Sequence, residues 1–214
     1  MQSKKNHNLI IKVGSCIGIF GSILSVTLIF GSVFLSSSWF SWTQNLLSDI
    51  GVRNDVAAVL FNLTPLTSGF LFFLFGLMAL SLYLPRNAIN RTGLVVFSIG
   101  NILQPFGAYI VQGSYFARHS VSVLGDFIIL PIGMIIISFG TRHSQRGRFS
   151  LWTILAGTVQ LGAFLALLYD IIYGKGGAIP EAVGSVAIYG WMAWAAILAY
   201  RTTKKRNNFD DGTS

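Results

Sequence analysis

Six long apolar runs constrain this chain more than any other feature. They extend approximately over residues 9–35, 56–84, 93–112, 120–140, 151–173 and 181–200. Each is close to the roughly 20 residues a helix needs to cross the hydrocarbon core of a bilayer. Backbone in lipid must satisfy its own N–H and C=O groups, so runs of this length predict helices rather than loops or open strands. With 53% hydrophobic and 10% charged residues among 214, the chain has more apolar surface than one water-soluble core can bury. The reading is an all-α polytopic membrane protein: one domain over residues 1–206 built as a six-helix transmembrane bundle, then a polar, disordered tail over 207–214.

The first run follows Lys4 and Lys5 and precedes Ser36, Ser37 and Ser38, a pattern shared with secretory signals. It is nearly twice the 7–15 residues or so of a signal's apolar region, so it is read as a retained span. Threading six helices with the N-terminus inside puts Lys4, Lys5, Lys12, Arg86, Arg91, Arg142, Arg146, Arg148, Arg201, Lys204, Lys205 and Arg206 on the cytoplasmic side. Only Arg53, Arg118 and Lys175 fall outside. A division of 12 to 3 follows the bias that orients membrane proteins, and it predicts a cell-membrane protein with both termini cytoplasmic. The same distribution argues against nucleic acid as a partner despite a net charge of +8, because the cations lie in short clusters at the ends of apolar runs.

Between spans one and two, Ser41-Trp42-Thr43-Gln44 has capping-box spacing and Gly51 offers a helix stop. A short interfacial helix over 42–50 would press Trp42, Leu46 and Ile50 onto the membrane. Trp39, Trp42 and Tyr115 stand in the outer loops, where amphipathic rings settle at the headgroup level. Gly14, Gly18 and Ser22 recur every four residues in span one, a stripe that lets another helix approach closely. Internal packing is one use for it, and a helix-packing partner through Gly14 and Gly18 is the other. Pro65, Pro105 and Pro131 lie inside spans two, three and four, so kinks or local unwinding are expected there.

Ionisable groups in or beside a span carry the most functional information, since an unpaired charge in the bilayer costs several kcal/mol. They gather toward the outer side: Asp49 and Asp55, His119 and Asp126, Asp170, and Glu181. His119 and Asp126 are seven residues apart and so share a helix face, with Ser122 between them. Together with Ser48 and Asp49 they are the catalytic candidates, a base oriented by a carboxylate beside a hydroxyl. Read structurally, His119 is an interfacial residue and Asp126 an acid favoured by a helix N-terminus. Glu181 after Pro180 is a common helix start, although Ser185 and Tyr189 continue its face. Deeper lie Asn62, Thr64, Thr67 and Ser68, then Asn101 and Gln104, then Gln160. Singly each serves as interhelical glue; together they form a polar seam beneath the acids. The candidate ligand-binding set is Asp49, Asn62, Asn101, Gln104, His119, Asp126 and Glu181.

No cofactor or metal is expected. The lone Cys16 and three dispersed histidines, His7, His119 and His143, do not assemble a zinc or bis-histidine haem site. Gly174-Lys175-Gly176-Gly177 lacks the spacing of a phosphate loop.

The stretch Trp42-Thr43-Gln44-Asn45-Leu46-Leu47-Ser48-Asp49-Ile50-Gly51 after a first span, with Asn62 in the second and His119 opening the fourth, resembles a family of six-span proteins of archaea and bacteria known as domain of unknown function 998. The resemblance implies a six-helix bundle and no particular activity. A more distant likeness is to seven-span membrane hydrolases that combine a serine, an aspartate and three histidines around zinc. Ser48-Asp49 is present here, but the histidines and the seventh span are not. The leading expectation is therefore a protein that binds or moves a small molecule, ion or lipid through an outward-facing polar cavity. The alternatives are an enzyme acting on a lipid at the outer leaflet and a non-catalytic subunit of a larger membrane complex.

Overall fold

A computed structural model describes residues 2–109, 115–144, 146–173 and 176–211. Six helical rods account for nearly all of them: α1 (Gln2–Leu35), α2 (Val56–Tyr83), α3 (Ala88–Tyr109), α4 (Tyr115–Val123 continued to Thr141), α5 (Gly147–Ile172) and α6 (Ala178–Asp211). Five contain stretches long and apolar enough to cross a membrane, at Asn6–Leu35, Val56–Tyr83, His119–Thr141, Gly147–Ile172 and Ala178–Thr203. The chain is thus a polytopic, all-helical membrane protein. The expected third span, over 93–112, runs past the described residues, which stop at Tyr109; their part of it, α3, carries Asn90, Arg91, Asn101 and Gln104 and is not among the five.

Close packing fixes α3 in the bundle. A methyl group on Gly69 of α2 would fall 2.4 Å from the carbonyl of Asn101, and one on Gly133 of α4 2.5 Å from the amide of Phe97. Gly100 of α3 and Gly125 of α4 face each other, each with the next helix's backbone within 3 Å of where a Cβ would sit. In lipid, helices gain little from apolar burial, and contact between backbones supplies the dispersion energy instead. α3 is accordingly wedged between α2 and α4, and Phe97 within it is fully buried.

The Gly14 and Gly18 stripe is consumed in the same way. Gly14 lies against Met78 and Ala79 of α2, and Gly18 against Phe75 of α2 and Ala196 of α6. Gly14 and Gly18 are thus covered by the chain's own helices. Outward-facing side chains such as Phe20, Ile23, Phe34, Leu151 and Leu165 are apolar, as lipid requires. At the rods' other contacts, Ser138 and Ser150 exchange hydroxyl-to-carbonyl hydrogen bonds at 2.9 and 2.8 Å between α4 and α5. Trp191 of α6 donates to Thr153 of α5 at 3.0 Å.

Two elements depart from the sequence reading. The interfacial helix over 42–50 is absent: residues 42–45 form a turn, and a 3₁₀ helix follows at Leu47–Val52 with Leu47 and Ile50 buried in the core. This segment packs into the bundle instead of lying on the membrane. The tail expected to lack structure continues as helix to Asp211, there being no Pro or Gly after Arg206 to stop α6 before Gly212. The expected end of span three at Gln112, together with Lys175, lies outside the described residues. So do the side chains of Tyr115 and Arg118.

Candidate functional site

Where α1 ends and α2, α4 and α6 begin, the rods enclose a cavity of about 650 Å³. Its floor and walls come from five separate parts of the chain, and Arg53 and Asn54, both exposed, mark where it reaches the surface.

The 3₁₀ helix forms the roof, and its placement depends on a glycine. Gly176 has Asn45 and Gln44 backbone atoms 2.4 Å from where a Cβ would be, so only glycine allows the α5–α6 loop to press onto the turn before the 3₁₀ helix. The backbone then pairs across this contact, Gly176 N–H to the Thr43 carbonyl at 3.3 Å and Ala178 N–H to Asn45 at 3.0 Å. This sets Glu181, three residues into α6, directly under the first turn of the 3₁₀ helix. Its carboxylate accepts from the Leu47 backbone N–H, and from the backbone and hydroxyl of Ser48. Glu181 thereby satisfies donors that a helix start leaves without intrahelical partners. Asp49 closes the same turn locally, accepting from the Leu46 N–H at 2.8 Å. On the far side, the Asn62 amide donates to the Gly51 carbonyl at 2.9 Å.

Asp126 owes its position to a proline. Pro131 has no N–H, so the helix preceding it cannot close its usual ladder. Residues Leu124–Ile129 widen instead into a π turn, with the Leu130 N–H reaching back to Gly125. In that register the donor for the Asp126 carbonyl would be residue 131. The Gln160 side chain of α5 supplies the missing hydrogen, at 3.4 Å. The Asp126 side chain is thereby turned onto the cavity wall.

There it ends a hydrogen-bonded chain through three helices, beside Tyr189 of α6. Ser68 donates to Gln104 of α3 at 2.8 Å, and Gln104 donates to Asp126 at 3.3 Å. Ser122 ties the same region together by donating to the Gln104 backbone carbonyl at 2.7 Å.

Of the residues singled out from sequence, Asn62, Gln104, His119, Asp126 and Glu181 all line this one cavity, with Ser185 and Tyr189 beside Glu181. Asn101, by contrast, is fully buried and donates to the Phe97 carbonyl at 2.8 Å within its own helix. Ser48 and Asp49 are engaged in holding the 3₁₀ turn, as described. Arg53, Asn54, Phe61 and Phe127 also line the cavity, and the sequence reading missed them as site residues. Arg53 is held by Asp55 at 3.1 Å and lies 4.3 Å over the Trp39 ring. Asp55 caps α2, accepting from the Ala58 N–H at 2.9 Å; that bond, with Arg53 alongside, keeps its carboxyl below the ordinary aspartate range. Among the described residues, no three His, Cys, Asp or Glu side chains come together to hold a metal ion.

Bundle and cavity together define a polytopic membrane protein with a polar pocket built at one end of its helices. The chain belongs to the family described as "Protein of unknown function (DUF998)", whose model matches residues 19–198. No curated protein and no solved structure matches it.

Proposed function

We propose that the protein binds a small polar molecule, ion or lipid headgroup in this cavity, entered from outside the cell, as a receptor site or as one station of a transport cycle. The observation that carries the reading is the position of Asp126. It is a half-buried acid inside a membrane-spanning helix, turned by a π turn onto the wall of a 650 Å³ cavity. Such turns concentrate at functional sites, and an acid at this depth costs too much to be retained for packing alone. The volume suits a small molecule, since binding sites of that kind run from about 300 to 1,000 Å³. Asp126 and His119 would contact the ligand, Gln104 would orient Asp126, and Asn62 and Glu181 would hold the wall.

In the same reading α3 is the sixth span, both termini lie in the cytoplasm, and the cavity faces outward. Support comes from the 12-to-3 division of Lys and Arg and from the packing of α3 between two spanning helices. Single cysteines placed at Asn54 and at His143 test the orientation with a membrane-impermeant thiol reagent on intact cells. Labelling at 54 alone is expected, and labelling at 143 would overturn it. The site is tested with Asp126→Asn in reconstituted vesicles and a panel of small-molecule and ion probes. Binding or uptake seen with the wild type should fall at least about tenfold while the protein stays folded. Undiminished activity would remove Asp126 from the site.

A further inference from the structure

A second cavity, of about 510 Å³, lies at the opposite end of the bundle. Three distant parts of the chain meet there: His7 near the start of α1, the α2–α3 loop with Arg86, and the α4–α5 loop with Ser144 and Arg146. The Arg146 guanidinium lies over the Tyr83 ring, 4.0 Å from its centroid, which holds the side chain at the cavity wall. Among the described residues, no acid lines this cavity. Of the chain's seven acids, Asp49, Asp55, Asp126, Asp170 and Glu181 lie toward the other end, and the side chains of Asp210 and Asp211 are outside the described residues. Two guanidinium groups and an imidazole thus line one space, with no carboxylate among its described walls. Close by along the chain, Leu9 and Ile10, two and three residues after His7, and Ile89, three after Arg86, are 60%, 42% and 50% exposed, apolar side chains of the kind an acyl chain covers.

We infer that this cavity is a binding site for a phosphate group, supplied by the headgroup of an anionic membrane lipid. Planar guanidinium groups bind phosphate oxygens through paired hydrogen bonds, and basic pockets between spanning helices are where anionic headgroups lodge. The site is separate from the acidic cavity and does not depend on the function proposed for it. A phosphate-bearing soluble compound would satisfy the same donors, and the exposed apolar side chains are what favour lipid. The competing explanation is that these cations serve orientation alone. In that case any neighbouring arginine at the same end would be equivalent to Arg86 and Arg146.

The test uses the full-length protein in mild detergent, following its thermal unfolding while phosphatidylglycerol, phosphatidylcholine or inorganic phosphate is titrated in. Phosphatidylglycerol should raise the midpoint saturably and phosphatidylcholine should not. The double variant Arg86→Gln, Arg146→Gln should weaken that apparent affinity about tenfold or more. Arg142→Gln with Arg148→Gln removes as much charge from exposed positions outside the cavity and should leave the affinity within about twofold. Should Arg146→Gln fail to fold, exposed Arg86→Gln alone is expected to weaken binding about threefold or more. A shift with inorganic phosphate and none with lipid, dependent on the same two arginines, would assign the site to a soluble phosphate compound. The proposal is overturned if no saturable shift occurs, if both double variants weaken binding equally, or if Arg86→Gln binds as the wild type does.

Discussion

The two ends of the bundle handle charge in opposite ways. At the acidic end, Glu181 and Asp126 are drawn inward and engaged by backbone and side-chain donors. At the basic end, Arg86, Arg142 and Arg148 are exposed, and Arg146 rests on the face of Tyr83. Carboxylates are short and accept hydrogen bonds, so a folded backbone with unpaired N–H groups can take them in. Long cationic side chains instead reach the aqueous boundary while their stems stay on apolar surface. Within the acidic end the two acids differ again. Glu181 is 6% exposed and committed to the 3₁₀ turn, whereas among the described residues Asp126 has one long side-chain bond and faces open space. One acid builds the pocket and the other is left to it.

Breaking the backbone contact that places Asp126 should have the largest effect. Gly125→Leu drives a side chain into the Gly100 carbonyl, 2.7 Å from its Cβ, and should cost about 3 kcal/mol or more. The expected readout is loss of the monodisperse peak in detergent size-exclusion chromatography. Glu181→Ala comes next, leaving the Leu47 and Ser48 amides without their carboxylate. A loss of about 2 kcal/mol is expected by thermal unfolding, with faster hydrogen exchange confined to 47–52. If exchange there is unchanged, Glu181 does not hold the turn.

Asp126→Asn sharpens the contrast. The amide still accepts from Gln104, and interhelical bonds of this kind contribute about 0.6 kcal/mol, so stability should change by less than about 1 kcal/mol while ligand binding is lost. A stability loss equal to that of Glu181→Ala would erase the distinction between the two acids. Smallest is Asp55→Asn. Because the folded carboxyl titrates below its ordinary value, its contribution is present above the unfolded pKa and is lost as pH falls through the folded one. The thermal midpoints of wild type and variant should therefore converge below about pH 4 and separate slightly above it. The same gap at every pH would remove the carboxyl's charge from the account.

Much of this was legible in the sequence because lipid imposes a simple rule on long apolar runs. The five spanning stretches at Asn6–Leu35, Val56–Tyr83, His119–Thr141, Gly147–Ile172 and Ala178–Thr203 begin and end within a few residues of the runs that predicted them. Of the three prolines expected to disturb their helices, Pro131 follows the π turn that carries Asp126, whereas Pro65 and Pro105 lie in unbroken α-helix. The 42–50 helix does not form. Its capping pattern was read locally, but the donor groups of that turn are satisfied by Glu181, 134 residues away from Leu47.

By itself, then, the sequence determined that this chain lives in a bilayer as long helical rods, and it placed acids and prolines at particular depths along them. Which of those residues meet was decided by tertiary structure. Asn62, Gln104, His119, Asp126 and Glu181 share a cavity because Gly69, Gly100, Gly125 and Gly176 let backbones approach closely enough to bring four helices and a loop together. Asn101, only three residues from Gln104, is turned away from it. Periodicity along one rod can say that two side chains share a face, but not which neighbouring rod that face will meet.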